Sequence, residues 1–551
     1  MTSPTAARRV LLAAVALLVV YAALSLFNAS RGTLGTDTGG KIASLEAMKR
    51  NGGLDPDLGY WAERWDPKGT LHPIYYTAHI GKRWVNLTTL PMPVVALPLF
   101  ELGGIRAALL LPMLGSVLSA LAARALARRL ASERAGWWAF WLTGLASPLT
   151  VYALDFWEHS LGVAAVLWAA VFAYDLAFER AGPWGALTAG GLLGVAATMR
   201  TEALVYALVI GAVTAIALWH RRHQVWLVAR LAVPAAAGAV IALAANEALE
   251  RLILSDSLRA ARATTTAGVG GGDVVVRAKE AIVTFLGLNR FGQPQDWLLG
   301  ALVVGAVLYG VWRATSADTR TRQLGAIALG VAAVFYLVRL AFGLGFLPGL
   351  LTASPLAAAG LMLGLTRTRL RPVVAVALLA LPIVWAFQYS GGANPQWGGR
   401  YLLISGALLG VCAAVALSDA PGRARWLVVA LAVGVTSFGV AWLSVRSHAV
   451  SDAMEVIARP TNGVVISQEP HVLREGGAFY SPSRRWLTAV GRRELHRAFH
   501  VAAESGARVV TLVGVVGRSR PPSLSGFDRG RSTRREFLPG VTIVLTRYQR
   551  A

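Results

Sequence analysis

Three short stretches, far apart in the chain, combine carboxylates with groups that could hold or move a proton. The first is Gly35-Thr-Asp37-Thr-Gly-Gly-Lys41, directly after an apolar run. A carboxylate held there by a Gly-rich turn could accept a proton from a sugar hydroxyl. Equally, Asp37 and Thr38 could do no more than cap a helix beginning near Lys41. The second is Leu154-Asp155-Phe-Trp-Glu158-His159. On a helix, Asp155, Glu158 and His159 fall at i, i+3 and i+4 and share one face. So placed, they could bind a divalent metal or a diphosphate with its metal, or hold an acceptor by hydrogen bonds. The plain alternative is a solvated interfacial turn with Trp157 as a belt aromatic. The third is Met199-Arg200-Thr-Glu202, where Arg200 and Glu202 could simply pair with each other.

Cations that could cradle a lipid-linked phosphate are Lys41, Arg200, Arg259, Arg262 and Arg400, because a guanidinium fork binds two phosphate oxygens at once. Each could instead contact lipid headgroups. Arg400-Tyr401 follows Asn394-Pro-Gln-Trp-Gly-Gly399, and Arg259 and Arg262 precede the glycine-rich run 268–272, which reads as a mobile lid. Aromatics alternate with acids in Asp55-Pro-Asp57-Leu-Gly-Tyr60-Trp61, Trp65-Asp66 and His72-Pro-Ile-Tyr-Tyr76. That mixture suits a carbohydrate, whose C–H faces stack on rings, and it suits interfacial anchoring as well. Tyr60, Trp61 and Tyr401, with His159 and Glu202, are the candidate acceptor or sugar contacts. Asn86-Leu-Thr88 matches a glycosylation sequon.

These residues have to be positioned by a membrane scaffold. The 551 residues are 55% hydrophobic and only 15% charged, where soluble proteins carry about 25% charge. Apolar runs of about 18 to 22 residues recur, each long enough to cross the hydrocarbon core. The net charge of +24 falls largely in short clusters between those runs, as orientation signals do, and excludes reading it as a nucleic-acid footprint. Cys412, the single cysteine, excludes a disulfide framework and a cysteine metal site.

Arg8 and Arg9 before the run Val10 to Phe27 place the N-terminus in the cytoplasm. A large external loop over 28–104 follows, ending in a short, proline-rich juxtamembrane helix from Leu90. Spans are then expected at 105–126, 135–154, 160–178, 185–200, 202–219, 225–249, 297–313, 323–342, 346–365, 371–389, 401–418 and 425–444. With the first run these make thirteen, and the turns expected inside are basic throughout. The odd count puts 446–551 outside as a small α/β domain. Its strands are expected at Gly463 to Ser467, Ala507 to Val516 and Val541 to Thr546, with a helix over Trp486 to Ala503 and a loop over Arg518 to Arg535. The fold class is therefore an all-α polytopic plasma-membrane protein with an extracytoplasmic α/β C-terminal domain, divided as 1–445 and 446–551.

This order of parts resembles the GT-C superfamily of membrane glycosyltransferases, nearest to its protein O-mannosyltransferase and aminoarabinose transferase branch. The likeness covers roughly residues 10 to 445 in architecture, on short motifs. It implies a polyprenyl-phosphate-linked sugar donor, a glycan, lipid or protein acceptor, and inversion at the sugar carbon. It places the catalytic base at Asp37 and a second acidic position at Asp155, with Glu158 beside it. The family's first-loop motif is commonly two acids separated by one residue, whereas Asp37 is followed by Thr38 and Gly39. That departure favours neutralisation of the donor phosphate by Arg or Lys over a divalent metal, for which Asp37, Asp155 and His159 would be the ligands.

Two other classes fit the composition. A transporter or flippase of lipid-linked precursors would carry ionisable groups at mid-span or paired broken helices. A non-catalytic envelope assembly factor would work through its external tail.

Overall fold

The structure is a computed structural model that describes residues 4–33, 35–179, 181–222, 225–267, 278, 284–286, 294–314, 316, 318–342, 349–387, 397–420, 422–459, 463–519, 522, 526–538 and 540–551. The run 268–272 read as a lid and the segment Asn394 to Gln396 lie outside the described residues. The chain divides into two compact units. A helical unit holds 1–24, 110–246 and 266–441, and an α/β unit holds 25–109, 247–265 and 442–551. The loop 28–104 and the tail 446–551, assigned to different domains from the sequence, fall together in the second.

Among the described residues, eight helices are long and apolar enough to cross a membrane, against the thirteen expected. The difference has a local cause in two places. The expected span 135–154 is broken into Glu133–Leu145 and Pro148–Tyr152, with Ser147 capping the second piece by accepting from the Leu149 amide. The expected span 346–365 shows the same device. Leu350–Ala353 ends before Pro355–Thr366, and Ser354 accepts from Ala357 N. Proline lacks the N–H a continuing helix needs, and the preceding serine satisfies an orphan amide. Gly360 lets helices Pro355–Thr366 and Leu403–Ser418 approach closely, since a Cβ there would lie 1.8 Å from the Leu409 carbonyl oxygen.

In the α/β unit, strands β3 (Val464–Ser467), β4 (Trp486–Thr488), β5 (Val509–Val515), β6 (Phe527–Leu538) and β7 (Val541–Arg550) form one sheet. Its order is β4-β3-β5-β7-β6, parallel through β4, β3 and β5 and antiparallel from β5 to β7 and β6. Two expectations are corrected. Trp486–Thr488 is a buried strand, and the helix begins only at Arg492 and runs to Glu504. The stretch expected as a loop over 518–535 contains most of edge strand β6, whose residues from Asp528 to Glu536 are all exposed. It lacks the apolar alternation that marks a strand because neither face is covered, and its arginines are the side chains an open edge tolerates.

The polar loop is sewn onto this sheet. Trp61 Nε1 donates to the Trp486 carbonyl at 2.9 Å, Tyr480 Oη donates to the Gly59 carbonyl at 2.7 Å, and Thr488 N donates to the Leu71 carbonyl at 2.9 Å. Asp66, wholly buried, accepts from Tyr60 Oη, Thr70 Oγ1 and Leu71 N and pairs with Arg497 at 2.8 Å. A hairpin of β1 (Thr77–Ile80) and β2 (Arg83–Asn86) closes the loop, followed by helix Pro91–Ala108, which opens on a proline as expected and is kinked at Gly103-Gly104. Asn86 of the sequon is buried and accepts from Thr88 Oγ1 at 2.9 Å, so it is committed inside the fold.

Two predictions follow from this packing. A Cβ on Gly477 would lie 1.8 Å from the Gly39 carbonyl oxygen, whereas one on Gly53 would meet nothing. Gly477→Ala is expected to destabilise the α/β unit by about 1–3 kcal/mol and Gly53→Ala to leave it unchanged, measured by thermal unfolding of the purified protein. His72, buried against Tyr60 and Trp84, has its pKa lowered to about 4 by desolvation. The unfolded chain binds the extra proton between pH 6.5 and 4, so stability is full above 6.5 and falls through that window, by up to about 3 kcal/mol. Melting scans should show this slope in the parent protein and a flatter one in His72→Phe.

Candidate functional site

Each unit contains a constellation drawn from the expected residues. In the helical unit, residues 153–158 form a turn ahead of helix His159–Tyr174. Asp155 is therefore not on a helix, which corrects the expectation that Asp155, Glu158 and His159 share one helical face. The proline-started helix Pro148–Tyr152 ends at Tyr152, and Trp157 N donates to the Asp155 carbonyl at 2.7 Å. All three side chains are buried. Glu158 occupies the N-cap position, where a carboxylate suits the positive end of the helix dipole.

Glu158 meets the third stretch. Arg200 ends helix Pro183–Met199 in an extended conformation, and its guanidinium lies between two acids. Nη1 donates to Glu158 Oε1 at 3.1 Å and Nε donates to Glu202 Oε1 at 2.8 Å. The triad is buried, and Glu202 Oε2 has no hydrogen-bond partner among the described residues. The pairing read for Arg200 and Glu202 is thus present, with Glu158 as a third member that no sequence spacing announced. Gly162 makes room for the arginine stem, which passes 3.0 Å from where its Cβ would be.

Aromatics close over this triad. Arg200 lies 5.1 Å from the Tyr401 ring centroid, and Arg400 lies 4.9 Å from the same ring and 4.8 Å from that of Trp157. His159 stacks on Trp157 at 4.4 Å, with Tyr152 tilted against both. The structure therefore brings Glu158, His159, Arg200, Glu202, Arg400 and Tyr401 together, and Asp155 two residues from Trp157. Among the described residues no group of three His, Cys, Asp or Glu side chains is placed to hold a metal ion.

In the α/β unit, Asp37 sits in the first turn of helix Thr36–Asn51. The Gly-rich turn expected to hold it is helical, because Gly39 and Gly40 are needed for contact: their Cβ atoms would fall 2.0 Å from the Arg474 carbonyl oxygen and 2.7 Å from Asn86 Oδ1. Residues Thr38 through Leu45 are buried, Lys41 among them at 1% exposure, while Asp37 keeps 19% of its side chain accessible. Arg474 Nη2 approaches Asp37 Oδ1 to 3.0 Å and its guanidinium lies 5.5 Å from the Tyr76 ring centroid. Behind it, Arg446 donates to Glu475 Oε1 at 2.6 Å and to the Thr33 carbonyl at 3.0 Å, and Thr33 Oγ1 donates to Glu475 Oε2. Neither Arg474 nor Arg446 was legible as a site residue; both lie in the tail, outside any motif.

The remaining candidates divide. Arg262 Nε donates to the Leu87 carbonyl at 2.9 Å, and Arg259 lies on helix Leu258–Ala267, whose first amides are capped by Glu250. Tyr60 is a core residue, 6% exposed, and Trp61 is half-buried with its N–H bonded to the sheet.

No family model matches the sequence, and no curated protein matches it. Solved structures do. ArnT from Cupriavidus metallidurans in the apo state matches at 15% identity and TM-score 0.37 over 98% of either chain. The same protein bound to undecaprenyl phosphate matches at 14% identity and TM-score 0.39 over 97% of either chain. The Archaeoglobus fulgidus oligosaccharyltransferase, in a complex with Zn and sulfate, matches at 13% identity and TM-score 0.43, covering 90% of this chain and 67% of that one.

The buried triad yields a prediction. Arg200→Met leaves two buried carboxylates without their cation and is expected to cost about 3–5 kcal/mol, whereas Glu158→Gln, which keeps an acceptor for Arg200, should cost about 1 kcal/mol. Thermal unfolding of the two purified variants checks the ranking.

Proposed function

We propose that this protein is an inverting glycosyltransferase of the plasma membrane. It moves a sugar from a polyprenyl-phosphate donor to a glycan, lipid or protein acceptor of the cell envelope. Its site lies on the outer face, beneath thirteen crossings that leave the N-terminus inside and the C-terminal domain outside. The observation that carries this reading is Asp37: it keeps access to solvent on a helix whose following residues are buried, and Arg474 beside it fixes its direction.

In the reaction, Asp37 takes the proton of the acceptor hydroxyl as the oxygen attacks the anomeric carbon from the face opposite the phosphate. The bond from that carbon to the phosphate oxygen breaks, and polyprenyl phosphate leaves with the electron pair. Developing charge on the leaving oxygen calls for fixed cations. Within the helical unit, Arg200 serves to hold Glu158 and Glu202. These ionisable groups sit at helix ends, which fits a surface-facing enzyme better than a mid-span transport relay.

Incubation of the purified protein with radiolabelled polyprenyl-phosphate mannose or arabinose, followed by extraction of membrane glycans, tests the reading. Asp37→Asn is expected to lose transfer by about 10²- to 10⁴-fold while melting like the parent. Full transfer by a folded Asp37→Asn protein would falsify the assignment.

A further inference from the structure

The helical unit contains an open cleft, separate from the groups just described, with about 470 Å³ of empty space including its mouth. Its walls include Leu126, Ala170, Phe178, Val213, Ala217 and Val376. The two hydroxyls on its lining are already engaged: Tyr174 Oη donates to the Arg129 carbonyl at 3.2 Å and Thr214 Oγ1 to the Ile210 carbonyl at 2.7 Å. An occupant of the walls thus meets mostly hydrocarbon.

A cation stands beside this apolar lining. The Arg221 guanidinium lies 4.6 Å from the ring centroid of Phe178, itself stacked on Tyr174 at 4.7 Å. Arg221 is exposed, and among the described residues no acidic side chain pairs with it. Arg129, whose carbonyl accepts the Tyr174 hydroxyl, is differently placed, clamped to Asp175 by two hydrogen bonds at 2.5 and 2.8 Å. Phe178 is carried by a five-residue π-helical turn, Asp175–Glu179, a rare conformation that recurs at functional positions.

We propose that this cleft binds one anionic phospholipid, an acyl chain lying along Phe178, Val213 and Ala217 and the phosphodiester on Arg221. A chain with no hydrogen-bonding groups matches walls whose hydroxyl protons are already donated, and a single negative charge matches Arg221 over the lining ring. The proposal does not depend on the sugar-transfer reading.

Native mass spectrometry of the purified full chain in neutral detergent tests it, with phosphatidylglycerol, phosphatidylcholine and undecaprenyl phosphate added at equal concentration. Phosphatidylglycerol should be retained over phosphatidylcholine by roughly fivefold, the value of one cation facing an anionic lipid. Arg221→Gln should bring the two to parity, and Ala217→Phe or Val213→Phe, which fill the cleft, should lose both. Arg320→Gln, removing an exposed arginine elsewhere in the unit, should keep the preference. Parity in the parent protein, undiminished retention in both filling variants, loss of preference in Arg320→Gln, or displacement of phosphatidylglycerol by undecaprenyl phosphate would each overturn the proposal.

Discussion

A charge taken out of water must meet its counter-charge, and the placement of the candidate residues here follows from that requirement. Arg200 lies buried between Glu158 and Glu202, Arg446 is held by Glu475 and the Thr33 carbonyl, and Asp66 is surrounded by Arg497, Tyr60 and Thr70. Such groups gain little stability over apolar residues of the same shape, but losing one partner is costly. Their effect is to fix geometry: the turn at 153–158 is tied to the end of helix Pro183–Met199, and the polar loop is tied to the tail.

This constraint sorts the candidate residues by what is left for chemistry. Glu158 and Glu202 share Arg200 and are almost wholly buried, whereas Asp37 is paired with the buried Arg474 and is still partly exposed. Lys41, four residues on, is buried with the helix face.

Much of this organisation was legible in the sequence, for identifiable reasons. Long apolar runs and basic turns announce the membrane helices, and Leu90-Pro-Met-Pro announces the short helix before Leu110, because proline starts helices and glycines at 103–104 end the first piece. Strand β3 and strand β5 stood out as buried apolar runs. What escaped lacked a local signature. Ser147-Pro148 and Ser354-Pro355 break helices within stretches whose hydropathy alone reads as continuous. Gly39 and Gly40 look like a turn, and only their contacts with Arg474 and Asn86 show why glycine is needed inside a helix. Arg474 itself pairs with a residue more than four hundred positions away, and no spacing rule reaches that far.

The outermost strand of the C-terminal sheet has a consequence for how the molecule behaves in company. From Asp528 to Glu536 it offers a bare ladder of amides and carbonyls to any passing β-chain, the usual opening for runaway stacking. Yet Arg529, Arg531, Arg534 and Arg535 project from that same stretch and outnumber Asp528 and Glu536, so a twin molecule approaching edge to edge would bring net positive charge against positive charge. The strand can stay long and uncovered because its own kind repel it.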